Sequence, residues 1–424
     1  MQKYIAWGEA MQMQGLLMYL RRYSTSLGGL VLLALCLRLV VLFLTPGLEY
    51  DIASYHIQAQ SVFAHRNIYL FTSRYPYPPV WVWWVALAQW LSETTALPFV
   101  WLVKVPAILG DSLIVALLYR YKSVGVAFFY AVNPISILVT AGHGQFDGLV
   151  IALAVLAWAC WRSPNPAGVY WAALALGGAI ALKGYPVLLL PALLLVIPSA
   201  RRRLIAGALA LAPLLVSFVV YSAFFGLEGA MISRLLIYNS PLDFGWSFYV
   251  PLFIDAFWPA AFPVVMLILA LAARIALLLL AYLLPRRRPT WPLERLWLVI
   301  LLGFYVLAPG VSAQYLLWVL PFLALLDLKQ GWWYTAVSTL GTWIFYVATN
   351  PGAVPWGQNQ QDLNPTLWFQ SFVVINLACW FFWLALWRRW IRSDKQVSGR
   401  SNSSAAVAAG SALPEAQQQT TPAI

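Results

Sequence analysis

Five side chains in this sequence combine a reactive type with an unusual setting: Asp51, Arg74, His143, Asp147 and Lys183. Each falls in a polar break between long apolar runs. Asp51 follows the first such run. A carboxylate there can take a proton from an acceptor hydroxyl or hold a divalent metal on a phosphate. A helix cap or a solvated loop position is the plain alternative. Arg74–Tyr75–Pro76–Tyr77–Pro78–Pro79 joins a basic group to an aromatic turn. Its prolines fix φ and keep the residues before them extended. Arg74 and Tyr77 can then face a phosphate or sugar rigidly, or simply lead into the next helix.

Gly142–His143–Gly144–Gln145–Phe146–Asp147–Gly148 packs three polar side chains between glycines. Glycine permits a tight turn and close approach of backbone to a ligand. His143 and Asp147 are four residues apart and would share a face if helical; a capped polar hairpin is the alternative. Lys183–Gly184–Tyr185–Pro186 ends another apolar run. Its lysine either meets an anionic phosphate or snorkels to lipid headgroups. Pro309–Gly310–Val311–Ser312–Ala313–Gln314–Tyr315 is a further polar break, with Gln314 as its amide.

Composition defines the elements that must position these groups. The chain has 424 residues, 62% hydrophobic and 9% charged, against about 25% charged for a soluble domain. Long apolar runs recur, which predicts an all-α, polytopic transmembrane helical bundle. Spans are expected at 26–46, 98–119, 123–141, 147–162, 168–182, 185–198, 204–225, 258–284, 293–309, 312–327, 331–348 and 366–387, about twelve in all. Basic residues cluster in the loops on one side: Arg21 and Arg22, Arg120 and Lys122, Arg162, Arg201 to Arg203, Arg286 to Arg288, Lys329, and Arg388 and Arg389. The positive-inside rule makes that side cytoplasmic, with both termini. The candidate side chains fall on the external side. The net charge of +12 therefore sets orientation and does not point to nucleic acid.

Val80–Leu91 is Trp-rich and too short to span, so an interfacial helix is expected inside a long external loop, 47–97. Two more external stretches are expected, 226–257 with Arg234, Tyr238, Asn239 and Asp243, and 349–365. Residues 1–25 read as a cytoplasmic segment leading into an uncleaved anchor, and 26–390 as the transmembrane domain. Residues 391–424, rich in Ser, Ala, Gln, Thr and Pro, read as a disordered cytoplasmic tail. Arg38, Lys104, Asp111 and Arg274 lie within expected spans and read as internal partners. Lys104 and Asp111 are seven residues apart, about 10 Å along a helix, so each is expected to pair with another helix. Cys36, Cys160 and Cys379 have no metal-ligand spacing and read as small buried hydrophobes.

These segments, in this order and on one side, resemble the GT-C superfamily of polytopic glycosyltransferases, which use polyprenyl-phosphate-linked sugars. The likeness covers about residues 26–330. Asp51 matches the acidic residue of the first external loop, and Tyr77–Pro78–Pro79 a Tyr-Pro-Pro turn before an interfacial helix. Gly142–Gly148 is similar to a His-Phe-Gln-Tyr-Asn-Gly element of eukaryotic glucosyltransferases. Leu182–Pro186 and Lys104–Asp111 look like bacterial members. Asp147 stands where that element has Asn, and the first loop lacks an Asp-Asp or Asp-x-Asp pair, which leaves a divalent metal open. The resemblance implies a hexosyltransferase acting on the external face of a bacterial plasma membrane. It implies mannose or glucose moved from a polyprenyl-phosphate donor to a hydroxyl of a lipid, glycan or protein, with inversion. It implies Asp51 as base, Arg74, His143 and Lys183 on the donor phosphate, and Gln145 and Asp147 on sugar or acceptor hydroxyls. Tyr77, Tyr185 and Gln314 complete the expected substrate-binding set.

Two other readings remain. A secondary transporter or flippase of lipid-linked sugars would use mid-membrane ionisable groups between repeats, here Asp111 or Arg274. A polymerase or ligase of lipid-linked polysaccharide would use Arg234 and Asp243.

Overall fold

The computed structural model describes residues 26–227, 229–237, 243–357, 359 and 364–393. Arg21 and Arg22, Tyr238 and Asn239, part of the 349–365 stretch and the tail from 394 onward lie outside the described residues. The helices described below belong to a compact unit, Met1–Ile391, and a second unit, Arg392–Ile424, contributes only Arg392 and Ser393 to the described set.

All regular elements among the described residues are helical. In chain order they are α1 (Leu27–Leu44), α2 (Glu49–Phe63), α3 (Ile68–Phe71), α4 (Val80–Thr95), α5 (Phe99–Tyr121), α6 (Val124–Ala131), and α7 (Pro134–Ile137), which continues as a π-helical turn, Leu138–His143. Then come α8 (Asp147–Arg162), α9 (Gly168–Leu182), a 3₁₀ turn (Tyr185–Leu189) running into α10 (Leu190–Val196), α11 (Ala200–Phe225), α12 (Gly229–Ile237) and α13 (Tyr249–Phe257). The chain closes with α14 (Phe262–Arg287), α15 (Leu293–Leu307), a 3₁₀ turn (Ala313–Leu317), α16 (Leu320–Leu326), α17 (Leu328–Thr349) and α18 (Pro365–Arg392).

Local sequence explains several boundaries. Ser26, Ser123, Ser199 and Asp327 cap the helices that follow them, each side chain accepting a first-turn amide. Prolines sit at the starts of the Tyr185–Leu189 turn, α10 and α16, where a missing N–H is tolerated.

Among the described residues, five helices are long and apolar enough to cross a membrane: α1, α5, α11, α14 with its lead-in, and α18. A sixth is possible if the pair Val124–Ala131 and Pro134–His143, bent by 43°, counts as one span. Most other expected spans are helices, but short ones. α8 has 16 residues and α9 and α15 have 15 each, so they reach only about 24 Å against a hydrocarbon core of about 30 Å. Their faces are largely buried in protein. A helix that is apolar all round fits a protein core as well as a bilayer, so hydropathy alone does not count crossings. The long helices are different: Leu204 and Val219 of α11, Ile268 and Leu278 of α14 and Val374 of α18 are exposed, the surface a bilayer would cover. Cys36 of α1 also lies on such an exposed face, contrary to the buried position expected of it.

The stretch 47–97 is not an open loop. It folds into α2, α3 and α4, and α4 extends the expected interfacial helix to Thr95. Trp81, Val82, Val85 and Ala88 form its buried face, an i, i+4, i+7 pattern. The 226–257 stretch likewise carries α12 and α13.

Two buried ties hold the site's scaffold. Arg38 of α1 donates from Nε to Asp111 of α5 at 2.6 Å, from Nη1 to the Ala131 carbonyl at 2.9 Å and from Nη2 to Ser136 Oγ at 2.6 Å. Tyr130 and Thr140 hydroxyls also donate to Asp111, each at 2.8 Å. Lys104 Nζ donates to the carbonyls of Ala141 at 2.8 Å, Thr45 at 3.1 Å and Gly142 at 3.2 Å. It thus serves carbonyls left over where α1 and the π turn end. Lys104 and Asp111 do pair with other helices, as expected.

Candidate active site

The π turn Leu138–His143 delivers the first site residue. Such turns insert one extra residue and recur at functional positions. Gly144 then takes φ +91°, a left-handed conformation that glycine adopts without strain, and α8 begins at Asp147. Residues 144–146 are not helical, so the condition under which His143 and Asp147 would share a helical face is not met. His143 and Asp147 serve different partners.

His143 Nε2 lies 2.6 Å from Asp51 Oδ2, and its Nδ1 lies 2.7 Å from Tyr346 Oη of α17. An ionised Asp51 can only accept, so Nε2 carries a hydrogen, and the role of Nδ1 toward the Tyr346 hydroxyl depends on the state of the ring. Gln145 Nε2 donates to the same Asp51 oxygen at 2.7 Å. Asp51 sits in the first turn of α2, not at its cap, which is Leu48. The Leu48 amide donates to the His143 carbonyl at 2.9 Å, which fixes the start of α2 against the π turn.

Lys183 closes α9, and its Nζ donates to Asp147 Oδ2 at 2.6 Å and Gln145 Oε1 at 3.5 Å. The ammonium also lies 5.0 Å from the ring centres of Tyr77 and Phe146 and 5.6 Å from that of Tyr315, within cation–π range. Trp318 Nε1 donates to the other Asp147 oxygen at 2.6 Å, and its ring stacks on Tyr185 at 3.4 Å. The result is a continuous polar chain: Tyr346, His143, Asp51, Gln145, Lys183, Asp147, Trp318.

One opening in that chain matters. Both donors to Asp51 fall on Oδ2. Oδ1 has no partner among the described residues, and the Asp51 side chain is 20% exposed against 3% for His143, 4% for Lys183 and 0% for Asp147. Burial opposes the Asp51 charge. The His143 hydrogen bond and charge, the Gln145 hydrogen bond and the Lys183 charge outweigh burial and hold the carboxyl below its ordinary value of 3.8. Asp51 is therefore ionised at neutral pH, with a lone pair turned outward.

A cavity of about 590 Å³ adjoins Lys183. Its walls are mainly apolar, with contributions from α11, α14 and α15. Lys183 and Arg274 are the charged residues in its lining, and Tyr77, Tyr185, Tyr315 and Trp318 form an aromatic wall. Val187 and Leu278 line it and are also exposed, so its rim reaches the apolar outer surface.

Two expected site residues sit apart from the polar chain. Arg74 lies 3.9 Å over the Tyr50 ring and donates to the Tyr50 carbonyl at 2.7 Å, bracing the residue before Asp51. Gln314 bonds Ser312. His143, with both ring nitrogens engaged inside the protein, braces Asp51 and is not free to meet a phosphate. Tyr346 and Trp318 were not legible as site residues: both sit in apolar runs, and Trp318 is one of 23 tryptophans.

Among the described residues, no three His, Cys, Asp or Glu side chains converge as metal ligands. Comparison with protein-family models, curated proteins and solved structures finds no match for this chain.

Proposed function

We propose that the chain is an integral-membrane glycosyltransferase that moves a hexose from a polyprenyl-phosphate donor to an acceptor hydroxyl. The reading rests on one observation above all: an ionised Asp51 whose second oxygen is unpartnered, braced by His143 and Gln145, with Gln145 bonded in turn to the Lys183 that lines an apolar cavity. In this reading Oδ1 takes the acceptor proton while the hydroxyl oxygen attacks the anomeric carbon. The donor phosphate leaves as an anion near Lys183 and Arg274, which offset the charge that develops on it. The prenyl chain occupies the apolar cavity and leaves through its lipid-facing rim. Attack opposite the leaving phosphate inverts the anomeric carbon.

The accompanying topology is a bundle of about twelve crossings, in which the short helices α8, α9, α15 and the broken pairs complete the long ones. The site faces outward and both termini are cytoplasmic, in a bacterial plasma membrane. Mannose or glucose is the hexose that the sequence resemblance implies.

The test uses detergent-purified protein with a panel of polyprenyl-phosphate sugars and follows release of free polyprenyl phosphate. Release by wild type that collapses in Asp51→Asn supports both the reaction and the base. Release that persists in Asp51→Asn keeps the reaction and removes the base. No release with any donor and acceptor mixture sinks the reading.

A further inference from the structure

Asp243 is a carboxylate outside the Asp51–Lys183 chain, and it is held in place more tightly than a loop residue needs. The Phe244 amide donates to the Val311 carbonyl at 2.8 Å, and the Gly245 amide to Asn376 Oδ1 at 2.8 Å. Asn376 Nδ2 returns to the Asp243 carbonyl at 3.4 Å. Phe244 is fully buried against Phe345, Phe372 and Trp383. The side chain is therefore aimed by a fixed backbone. It points to Ser312, whose Oγ lies 2.7 Å from Asp243 Oδ2 and 2.6 Å from Gln314 Oε1. Ser312 lies within the segment whose Pro309, Gly310 and Tyr315 line the cavity.

The proton count is informative. Ser312 has one hydroxyl hydrogen for two acceptors. Either Asp243 carries a proton and donates to Ser312, or the Gln314 amide is turned to donate. In both arrangements Asp243 Oδ1 and the outer amide atom of Gln314 have no partner among the described residues, although Gln314 is only 4% exposed. Among the described residues Asp243 forms no ion pair, unlike Asp51, Asp111 and Asp147. An unpaired amide atom beside an unpaired carboxyl oxygen, neither of them fully enclosed, is an open polar arrangement. It suits a ligand that brings two neighbouring hydroxyls, each able to donate and accept.

We propose that Asp243, Ser312 and Gln314 form a subsite for adjacent hydroxyls of a carbohydrate, so that this cluster determines which sugar the protein accepts. The proposal builds on the glycosyltransferase reading. It assigns sugar recognition to a group separate from both the base and the lipid phosphate. The hydroxyls belong either to the donor hexose or to a glycan acceptor.

The test compares wild type with Asp243→Asn and Gln314→Met, each required to be folded at the assay pH and to keep the wild-type affinity for bare polyprenyl phosphate. Binding of polyprenyl-phosphate sugar, bare polyprenyl phosphate and the methyl glycosides of mannose, glucose and arabinose is titrated by calorimetry. If the subsite holds the donor sugar, both variants weaken glycosylated lipid about tenfold and leave bare lipid unchanged. If it holds the acceptor, lipid binding stays at wild-type level and methyl-glycoside binding drops by a similar factor. Wild-type affinity for every ligand in both variants overturns the proposal. So does the absence of any glycoside or glycolipid binding by wild type. Asp243-dependent glycoside binding by a protein that ignores polyprenyl phosphate keeps the subsite and removes the transferase reading.

Discussion

Two buried ionic assemblies flank the same π turn, and they differ in one respect. In the first, Arg38 and Asp111 are 0% exposed. Asp111 receives Arg38, Tyr130 and Thr140, and Arg38 spends its remaining donors on Ser136 and backbone carbonyls. In the second, Asp51, His143, Gln145, Lys183 and Asp147 form a similar chain, but one Asp51 oxygen is left over and reaches the surface. A closed polar set rigidifies a core. An open one offers a lone pair to a ligand. The same residue types are therefore fully engaged on one side of the turn and leave a carboxylate oxygen without a partner on the other.

That contrast can be broken by substitution. The largest effect is expected from Asp51→Asn, which removes the proposed base: transfer falls about 100- to 10,000-fold while the melting temperature stays near wild type. A parallel melting loss would make Asp51 structural after all. Asp111→Ala is its mirror image. It strands the buried Arg38 and costs about 3–5 kcal/mol of stability, read as a lower melting temperature in detergent. The double variant Arg38→Met with Asp111→Leu recovers most of that loss if the pair is purely architectural, and stays unfolded if the fold needs the charges.

His143→Asn sharpens the comparison from inside the open assembly. It withdraws the main group that offsets burial of Asp51, so the Asp51 pKa rises. Transfer then falls about tenfold at neutral pH, and the acid limb of its pH profile moves upward. An unmoved acid limb would show that His143 does not set the charge of Asp51.

The smallest effect concerns Asp243. Burial pushes its carboxyl up to about 6, and the Asp51 charge adds to this against the Ser312 hydrogen bond. Between the ordinary value of 3.8 and about 6 the folded chain keeps a proton that the unfolded chain has lost. Stability attributable to Asp243 is therefore complete at acid pH, falls as pH rises through that window and stays lower above it. Asp243→Asn should abolish this component. Melting curves of the two proteins that run parallel from about pH 4 to 7 would contradict it.

The sequence by itself determined the chemistry available and its grouping. Glycines around His143, Gln145 and Asp147 announced a turn, and Lys183 at an apolar run's end announced a cation with a purpose. Apolar runs established an all-helical chain, because backbone polar groups in such surroundings must be satisfied locally. Which runs are long exposed helices and which are short buried ones was decided only in three dimensions, since both bury the same side-chain types. Partner choice was also tertiary. Asp51 meets His143 across 92 residues and Asp147 meets Trp318 across 171, and no local pattern encodes such pairs. Tyr346 and Trp318 looked like ordinary apolar-run aromatics until packing aimed their polar atoms. The difference between a carboxylate with every lone pair engaged and one with an oxygen to spare depends on donors arriving from distant helices, so only the folded chain could decide it.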